Sequence, residues 1–399
     1  MIAQRVQAIA PSETMKISGR AKELQREGKS VISLSQGEPD FKTPEHICEA
    51  GIQAIRDGHH GYTVNAGTPE LREAICAKLK EENGLSYTPD QILLSNGAKQ
   101  SIGFSLFATI DKGDEVIIPA PYWVSYPEMV KIADGTPVVV ATEFDNDYKM
   151  TADQLRQAIT PKTKMLILCS PSNPTGSCYT KEELASLADV LREYPGIMVL
   201  SDEIYEYIVF DGEHVSIAQA APDLMDRILL INGFSKGFAM TGWRLGYLAG
   251  PAQVVKAVSK IQSQETSAPS TISQKAAEAA YNSPRDSVKE MVKAFRERRD
   301  YMIKALNEID GVNCFNPGGA FYAFPDISTY LNSVTPSGQK IANSTDLCMF
   351  LLEERGLAAV PGDAFGEPNG IRLSYAASME HLQEAIKRLR EGLAALKKQ

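Results

Sequence analysis

Residues 235–247 read Ser235-Lys236-Gly237-Phe238-Ala239-Met240-Thr241-Gly242-Trp243-Arg244-Leu245-Gly246-Tyr247. One lysine stands beside a glycine in an otherwise uncharged run, with an arginine eight residues on. Desolvation disfavours the ammonium form, so an amine in such a loop can be neutral enough near pH 7 to attack an aldehyde and form a Schiff base. Taken alone, the same residues describe a solvated lysine in a turn. Three other segments change that balance: Ser170-Pro171-Ser172-Asn173-Pro174-Thr175-Gly176, Ser201-Asp202-Glu203-Ile204-Tyr205 and Gly370-Ile371-Arg372-Leu373-Ser374-Tyr375.

Outward from these segments, short apolar runs alternate with helical patterns, which is the signature of an α/β layer fold. The strand candidates are Ile92–Ser95, Glu115–Ile118, Val138–Ala141, Met165–Cys169, Met198–Ser201, Ile228–Ile231 and Leu245–Ala249. They are expected to form one large sheet. Between them, Lys181–Tyr194 carries Leu184, Leu187, Ala188 and Leu191 at helical spacing, with Thr180 as N-cap and Glu183 three residues on. Helices are also expected over Thr14–Glu27 and Asp286–Ile309. The change of character after Ser283-Pro284 marks a domain boundary.

Composition narrows the partners. The chain has 399 residues, of which 43% are apolar, enough for two cores; length alone suggests two or three domains. With 41 basic and 50 acidic residues the net charge is −9, and no basic block argues for nucleic acid or an anionic membrane. The longest apolar runs fall far short of the roughly 20 residues of a membrane span. The amino terminus lacks the pattern of a signal peptide, so a cytoplasmic location is expected. Six cysteines show neither CxxC nor metal-ligand spacing, and no metal site is expected.

The chemistry can be assembled site by site. Leu94-Ser95-Asn96-Gly97-Ala98-Lys99-Gln100 follows a strand and opens a helical pattern through Ile102, Leu106 and Ile110. Free N–H groups and the helix dipole at such a start attract phosphate. Arg244 can clamp phosphate oxygens and Ser235 can add a hydroxyl. Asp202 lies at the carboxyl edge of a strand, where open α/β sheets place ligands; it caps a turn or pairs with a protonated ring nitrogen. Tyr205 and Asn173 suit a phenolic oxygen. Trp123, in Pro121-Tyr122-Trp123-Val124-Ser125-Tyr126-Pro127, stacks on a ring or packs in the core. Arg372, between apolar neighbours, needs an anion, either a substrate carboxylate or a structural acid. Gly37, in Gly37-Glu38-Pro39-Asp40, lets backbone approach the same carboxylate.

In this order, and from Arg5-Val6-Gln7 through Leu34–Asp40, Gly61-Tyr62 and Pro121–Pro127 to Arg372, the segments resemble the class I pyridoxal-phosphate (PLP) aminotransferases, most of all the bacterial and plastid aspartate/prephenate branch. The resemblance implies PLP fold type I: a large PLP-binding domain over 45–284 with a mostly parallel seven-stranded sheet, and a small α/β domain over 285–399 with the 1–44 segment packed on it. It implies Lys236, Asp202 and Tyr205 as catalytic residues. Gly97, Ala98, Lys99, Trp123, Asn173, Ser235, Arg244 and Tyr62 join them around the cofactor, Tyr62 from the other subunit of a homodimer. Gly37, Lys99, Trp123, Asn173 and Arg372 would face the substrate.

The activity implied is ping-pong transfer of an amino group between L-aspartate and 2-oxoglutarate. Lys236 serves as covalent anchor and then as general base. Prephenate or a broader aromatic and neutral range, a PLP lyase or acyl-transferring synthase, and a silent PLP-fold module are the alternatives. One departure is plain: around Gln264–Ser267, where some branches keep a second substrate-binding arginine, this chain has none. Lys99 is the implied partner for a distal carboxylate, and Ala10 stands where a prephenate enzyme would be expected to offer a polar or basic contact.

Overall fold

A computed structural model describes residues 2, 4–7, 9 and 13–397. Ala10 lies outside the described residues. The seven apolar runs form one sheet: β1 (Ile92–Ser95), β2 (Glu115–Ala120), β3 (Thr136–Ala141), β4 (Thr163–Cys169), β5 (Met198–Asp202), β6 (Ile228–Gly233) and β7 (Gly246–Ala249). The spatial order is β1-β7-β6-β5-β4-β2-β3. All pairings are parallel except those of β7, which runs antiparallel to β1 and β6. The central strands are buried along almost their whole length, which is why they read as continuous apolar runs rather than alternating ones.

Helices cover both faces of this sheet. On one, Leu184, Leu187, Ala188 and Leu191 pack with Leu166, Leu168 and Val199. On the other, Ile102, Leu106 and Val130 meet Val116, Ile118 and Ile167. The helix Lys181–Glu193 starts where its sequence says it should. Glu183 N–H donates to Thr180 Oγ1 at 3.2 Å, and Thr180 N–H donates to a Glu183 carboxylate oxygen at 2.8 Å, closing a capping box.

A separate core joins the two ends of the chain. Ile17, Leu24 and Leu34 share it with Phe295, Met302 and Leu306 of the helix Asp286–Asn307 and with Leu351, Leu382 and Leu389. Ile32–Ser33 pairs in parallel with Leu357–Ala358. A three-stranded antiparallel sheet places Ile371–Ser374 between Val360–Pro361 and Tyr322–Ala323. Arg372 therefore arrives from this second core at the carboxyl edge of the large sheet, where it meets Asn173. Among the described residues, no helix is long and apolar enough to cross a membrane.

Candidate active site

The carboxyl ends of β4, β5 and β6 lie side by side and deliver the polar groups. Asp202 ends β5, in register with Cys169 of β4 and Ile231 of β6. It is 4% exposed. The Tyr126 hydroxyl donates to Asp202 Oδ2 at 2.6 Å, and Ile204 N–H donates to Oδ1 at 3.3 Å. Burial pushes the Asp202 carboxyl up to about 6, against the pull of the Tyr126 bond. A carboxylate held in so dry a place is suited to a cationic partner.

Lys236 follows β6 through Phe234 and Ser235, and its Nζ donates to the carbonyl oxygen of Gly37. Desolvation is the main cause that brings its amine down to about 8; Glu38 opposes the shift, while Arg372 and Arg244 reinforce it. Nζ lies 5.9 Å from the centre of the Tyr205 ring. The 37–40 turn is fixed on both sides, for Thr241 Oγ1 donates to Glu38 at 2.9 Å and Arg298 donates to Asp40 at 2.7 Å.

At the other end, β1 leads through Gly97 into the helix Ala98–Thr109. Gly97 has φ 83°, and a Cβ there would fall 2.4 Å from an Arg244 guanidinium nitrogen. A Cβ on Gly246 would fall 2.4 Å from the Ala98 nitrogen. Glycine at both positions lets guanidinium, helix start and β7 close to backbone distance. Arg244 Nη1 donates to Thr241 O at 2.8 Å, which leaves the guanidinium reaching over Gly97. Ser235, just before Lys236, is buried as well.

Arg372 is 3% exposed. Nη1 donates to Asn173 Oδ1 at 3.0 Å and Nη2 to Ser35 O at 2.7 Å, while buried Nε has no partner. Among the described residues no carboxylate pairs with it, and its side-chain partners there are the Asn173 amide and the Ser35 carbonyl rather than a structural acid. An anionic ligand would supply the missing charge. Trp123 packs edge-on to Tyr126, with centroids 5.3 Å apart, and the ammonium of Lys99, an exposed residue, lies 4.7 Å from a Trp123 ring centre. Desolvation first, and the charge of Arg244 second, lower the Lys99 amine below its ordinary value. Tyr62 stands apart at 96% exposure.

Two tyrosines join the site without having been assigned to it from sequence. Tyr126 lies in the quoted Pro121–Pro127 segment, one turn after Trp123. Tyr322 follows Gly318-Gly319-Ala320-Phe321, and its hydroxyl lies 2.8 Å from that of Tyr205. A cluster of potential metal ligands, Glu203, Glu206 and His214, brings ligand atoms within 4.8 Å of one another. It is already satisfied: Glu203 accepts from Ser201, Ser216 and His214, and Glu206 accepts from Lys78 and Asn83.

A nucleophilic amine, a buried carboxylate, a helix start under a guanidinium and an arginine with a free Nε together fit a cofactor bearing an aldehyde, a basic ring nitrogen and a phosphate. The sequence profile described as "Aminotransferase class I and II" matches residues 29–389. A bifunctional aspartate aminotransferase and glutamate/aspartate-prephenate aminotransferase of Petunia hybrida is 52% identical over 99% of this chain and 83% of its own length. An aspartate/prephenate aminotransferase of Nitrosomonas europaea is 50% identical over 97% of this chain and 98% of its own. The crystal structure of the Rhizobium meliloti aspartate aminotransferase superposes with a TM-score of 0.97 at 46% identity, covering 100% of both chains. That of Thermus thermophilus aspartate aminotransferase with maleate gives 0.92 at 41%, covering 98% and 99%.

Proposed function

The chain belongs to the class I and II aminotransferases, a PLP-dependent family, and from that premise we propose that it moves the amino group between L-aspartate and 2-oxoglutarate. The observation that carries the reading is the pairing of a desolvated amine brought down to about 8 at Lys236 with an arginine, Arg372, that no carboxylate among the described residues neutralises. Bound PLP supplies an aldehyde carbon for covalent capture of an amine and a ring that draws electrons from the substrate α-carbon.

The residues do the rest. The Ala98 N–H, Ser235 and Arg244 would hold the phosphate, while Gly97, whose own N–H donates to Ser95 O at 2.8 Å, leaves room for the guanidinium. Asp202, charged at neutral pH, keeps a proton on the ring nitrogen. Asn173 gives its carbonyl to Arg372, so its amide N–H can serve the phenolic oxygen together with the Tyr205 hydroxyl. Trp123 covers one ring face. Arg372, beside the Gly37 backbone, takes the α-carboxylate, and Lys99 takes a distal one. The free amine of Lys236 would take the proton from the substrate α-carbon and deliver it to the carbon that the cofactor's aldehyde supplied.

Residues 45–284 are the large PLP-binding domain in this reading; 285–399, with 1–44 packed on it, form the small one. The active protein is a homodimer whose Tyr62 reaches the partner site, and it works in the cytoplasm. The test is transfer of label from 15N-aspartate to 2-oxoglutarate. Labelled glutamate with parallel-line kinetics is expected; release of ammonia or CO2 without labelled glutamate would replace transamination by a lyase reaction.

A further inference from the structure

Tyr322 lies where the carboxylate and cofactor sides of the site meet. It sits on the strand Tyr322–Ala323, with Ser374 opposite it on the strand that carries Arg372. It is 0% exposed. The Arg372 guanidinium carbon lies 4.6 Å from its ring centre. Its hydroxyl is 2.8 Å from that of Tyr205, and a Cβ on Gly37 would come within 3.1 Å of the same oxygen. Gly37 is the residue whose carbonyl accepts from Lys236. One side chain thus touches Arg372 and Tyr205 and borders the turn that contacts Lys236.

From this contact set we propose that Tyr322 is a positioning residue: its hydroxyl donates to the Tyr205 oxygen, freeing the Tyr205 proton for the cofactor's phenolic oxygen, while its ring supports Arg372. The inference rests on the reading that Tyr205 serves the cofactor. Donor direction follows from charge. Burial raises both hydroxyls; the Arg372 cation pulls both down, most at Tyr322, whose ring it lies against, and least at Tyr205, which makes Tyr322 the better acid of the pair. A phenol whose oxygen accepts one hydrogen bond donates its own proton more strongly. Arrival of an anion at Arg372 would weaken that bias, so occupancy of the carboxylate site is transmitted to the cofactor oxygen through two hydroxyls.

The alternative is a pair of buried hydroxyls that merely satisfy each other. The two are separated by the pH at which the visible absorbance of the holoenzyme changes. A stronger donor at the phenolic oxygen stabilises its anionic form and lowers that midpoint. Tyr322→Phe should therefore raise it by roughly half a unit to one unit, in the same direction as Tyr205→Phe and by less. The double variant should move no further than Tyr205→Phe alone, since Tyr322 acts through Tyr205. Tyr322→Phe keeps the ring, so kcat should fall several-fold while KM for aspartate stays within about twofold; Tyr322→Leu, which removes the ring, should raise KM as well. A Tyr322→Phe midpoint equal to wild type, or additive shifts in the double variant, would overturn the proposal and leave the transaminase reading intact. An unmoved midpoint in Tyr205→Phe would instead remove the role of Tyr205 on which both rest.

Discussion

The Tyr126 hydroxyl sits 2.6 Å from Asp202 Oδ2, and both groups are almost fully buried. Tyr126 is held on the helix Ser125–Ile132, Asp202 on the end of β5, so the bond ties the segment after β2 to the floor of the site. A hydrogen bond to a charged group contributes about 1.5–3 kcal/mol, and here it favours the ionised carboxylate that a ring nitrogen needs. Tyr126→Phe should weaken PLP binding about tenfold near pH 6, with the loss fading as pH rises past about 8, because the Asp202 carboxyl rises further and must lose its proton before it can pair with the ring nitrogen. Equilibrium dialysis of cofactor against pH reads this directly. Unchanged affinity across the range would reduce Tyr126 to packing.

Asp202 also makes a prediction for the protein without cofactor. Its carboxyl is raised from 3.8 to about 6, so the folded chain holds the proton more tightly than the unfolded one. Stability is therefore lost as pH rises through that window; the cost is absent below it and complete above it. The shift corresponds to roughly 2–3 kcal/mol. The unfolding free energy of Asp202→Asn apoprotein relative to wild type should improve by about that amount between the two ends of the window. Comparing the two proteins cancels the other carboxylates, and urea titrations would measure it. A pH-independent difference would mean the carboxylate pays no desolvation cost.

Much of this was legible in the chain. β4, β5 and β6 are apolar runs bounded by turn residues, and Asp202, Lys236 and Arg372 each stand in a short pattern whose chemistry needs that residue type. The observed strands extend beyond several expected ones, as at Thr136 of β3 and Thr163 of β4, because ladder pairing continues past the apolar run. The contacts of Tyr322 were not legible: it meets Tyr205 from 117 positions away, and nothing local in Phe321-Tyr322-Ala323 distinguishes a site hydroxyl from a core one. The same holds for the Gly37 carbonyl that receives Lys236, since a backbone acceptor has no residue type to betray it.

Lys236 should show its displaced amine in reactivity. With burial bringing it down to about 8, capture of PLP by apoprotein, trapped with borohydride and located by mass spectrometry, should rise through that pH rather than through the ordinary lysine range. Glu38→Gln removes the charge that opposes the shift, so its profile should move lower still. Lys236→Ala should trap nothing at this position while keeping its fold. A trapped active-site linkage with near-normal turnover in that variant would refute the assignment.

Tyr62 is 96% exposed, and Val64, Ile55, Phe107 and Ile52 are also exposed, at 58%, 49%, 41% and 38%. A tyrosine left almost wholly in solvent, with Val64 exposed two residues on, fits a segment covered by a second copy. Heterodimers of wild type with a Tyr62→Phe, Lys236→Ala double variant should bind PLP less tightly at their intact Lys236 site. Equal affinity, or a fully active monomer in the ultracentrifuge, would sink the cross-subunit role.

Substrate charge turns on Lys99. Its position at the start of the Ala98–Thr109 helix asks only for a backbone N–H, so the side chain is free to serve another purpose. The residue is exposed, but its ammonium lies over Trp123, and desolvation first and the nearby Arg244 charge second lower its amine. A cation held this way, with no carboxylate of the protein paired to it in the described contacts, is placed for the second carboxylate of a dicarboxylic substrate. In a partly desolvated site such a pair contributes on the order of 2–5 kcal/mol. Lys99→Ala should therefore lower kcat/KM for aspartate at least about thirtyfold, and much less for alanine or phenylalanine, which have nothing to pair with it. Raising the pH should mimic the substitution for aspartate alone, as Lys99 loses its charge below the ordinary lysine range. Equal losses for charged and neutral donors, or none for either, would show that the ammonium serves Trp123 or the phosphate end and leave dicarboxylate selection to other residues.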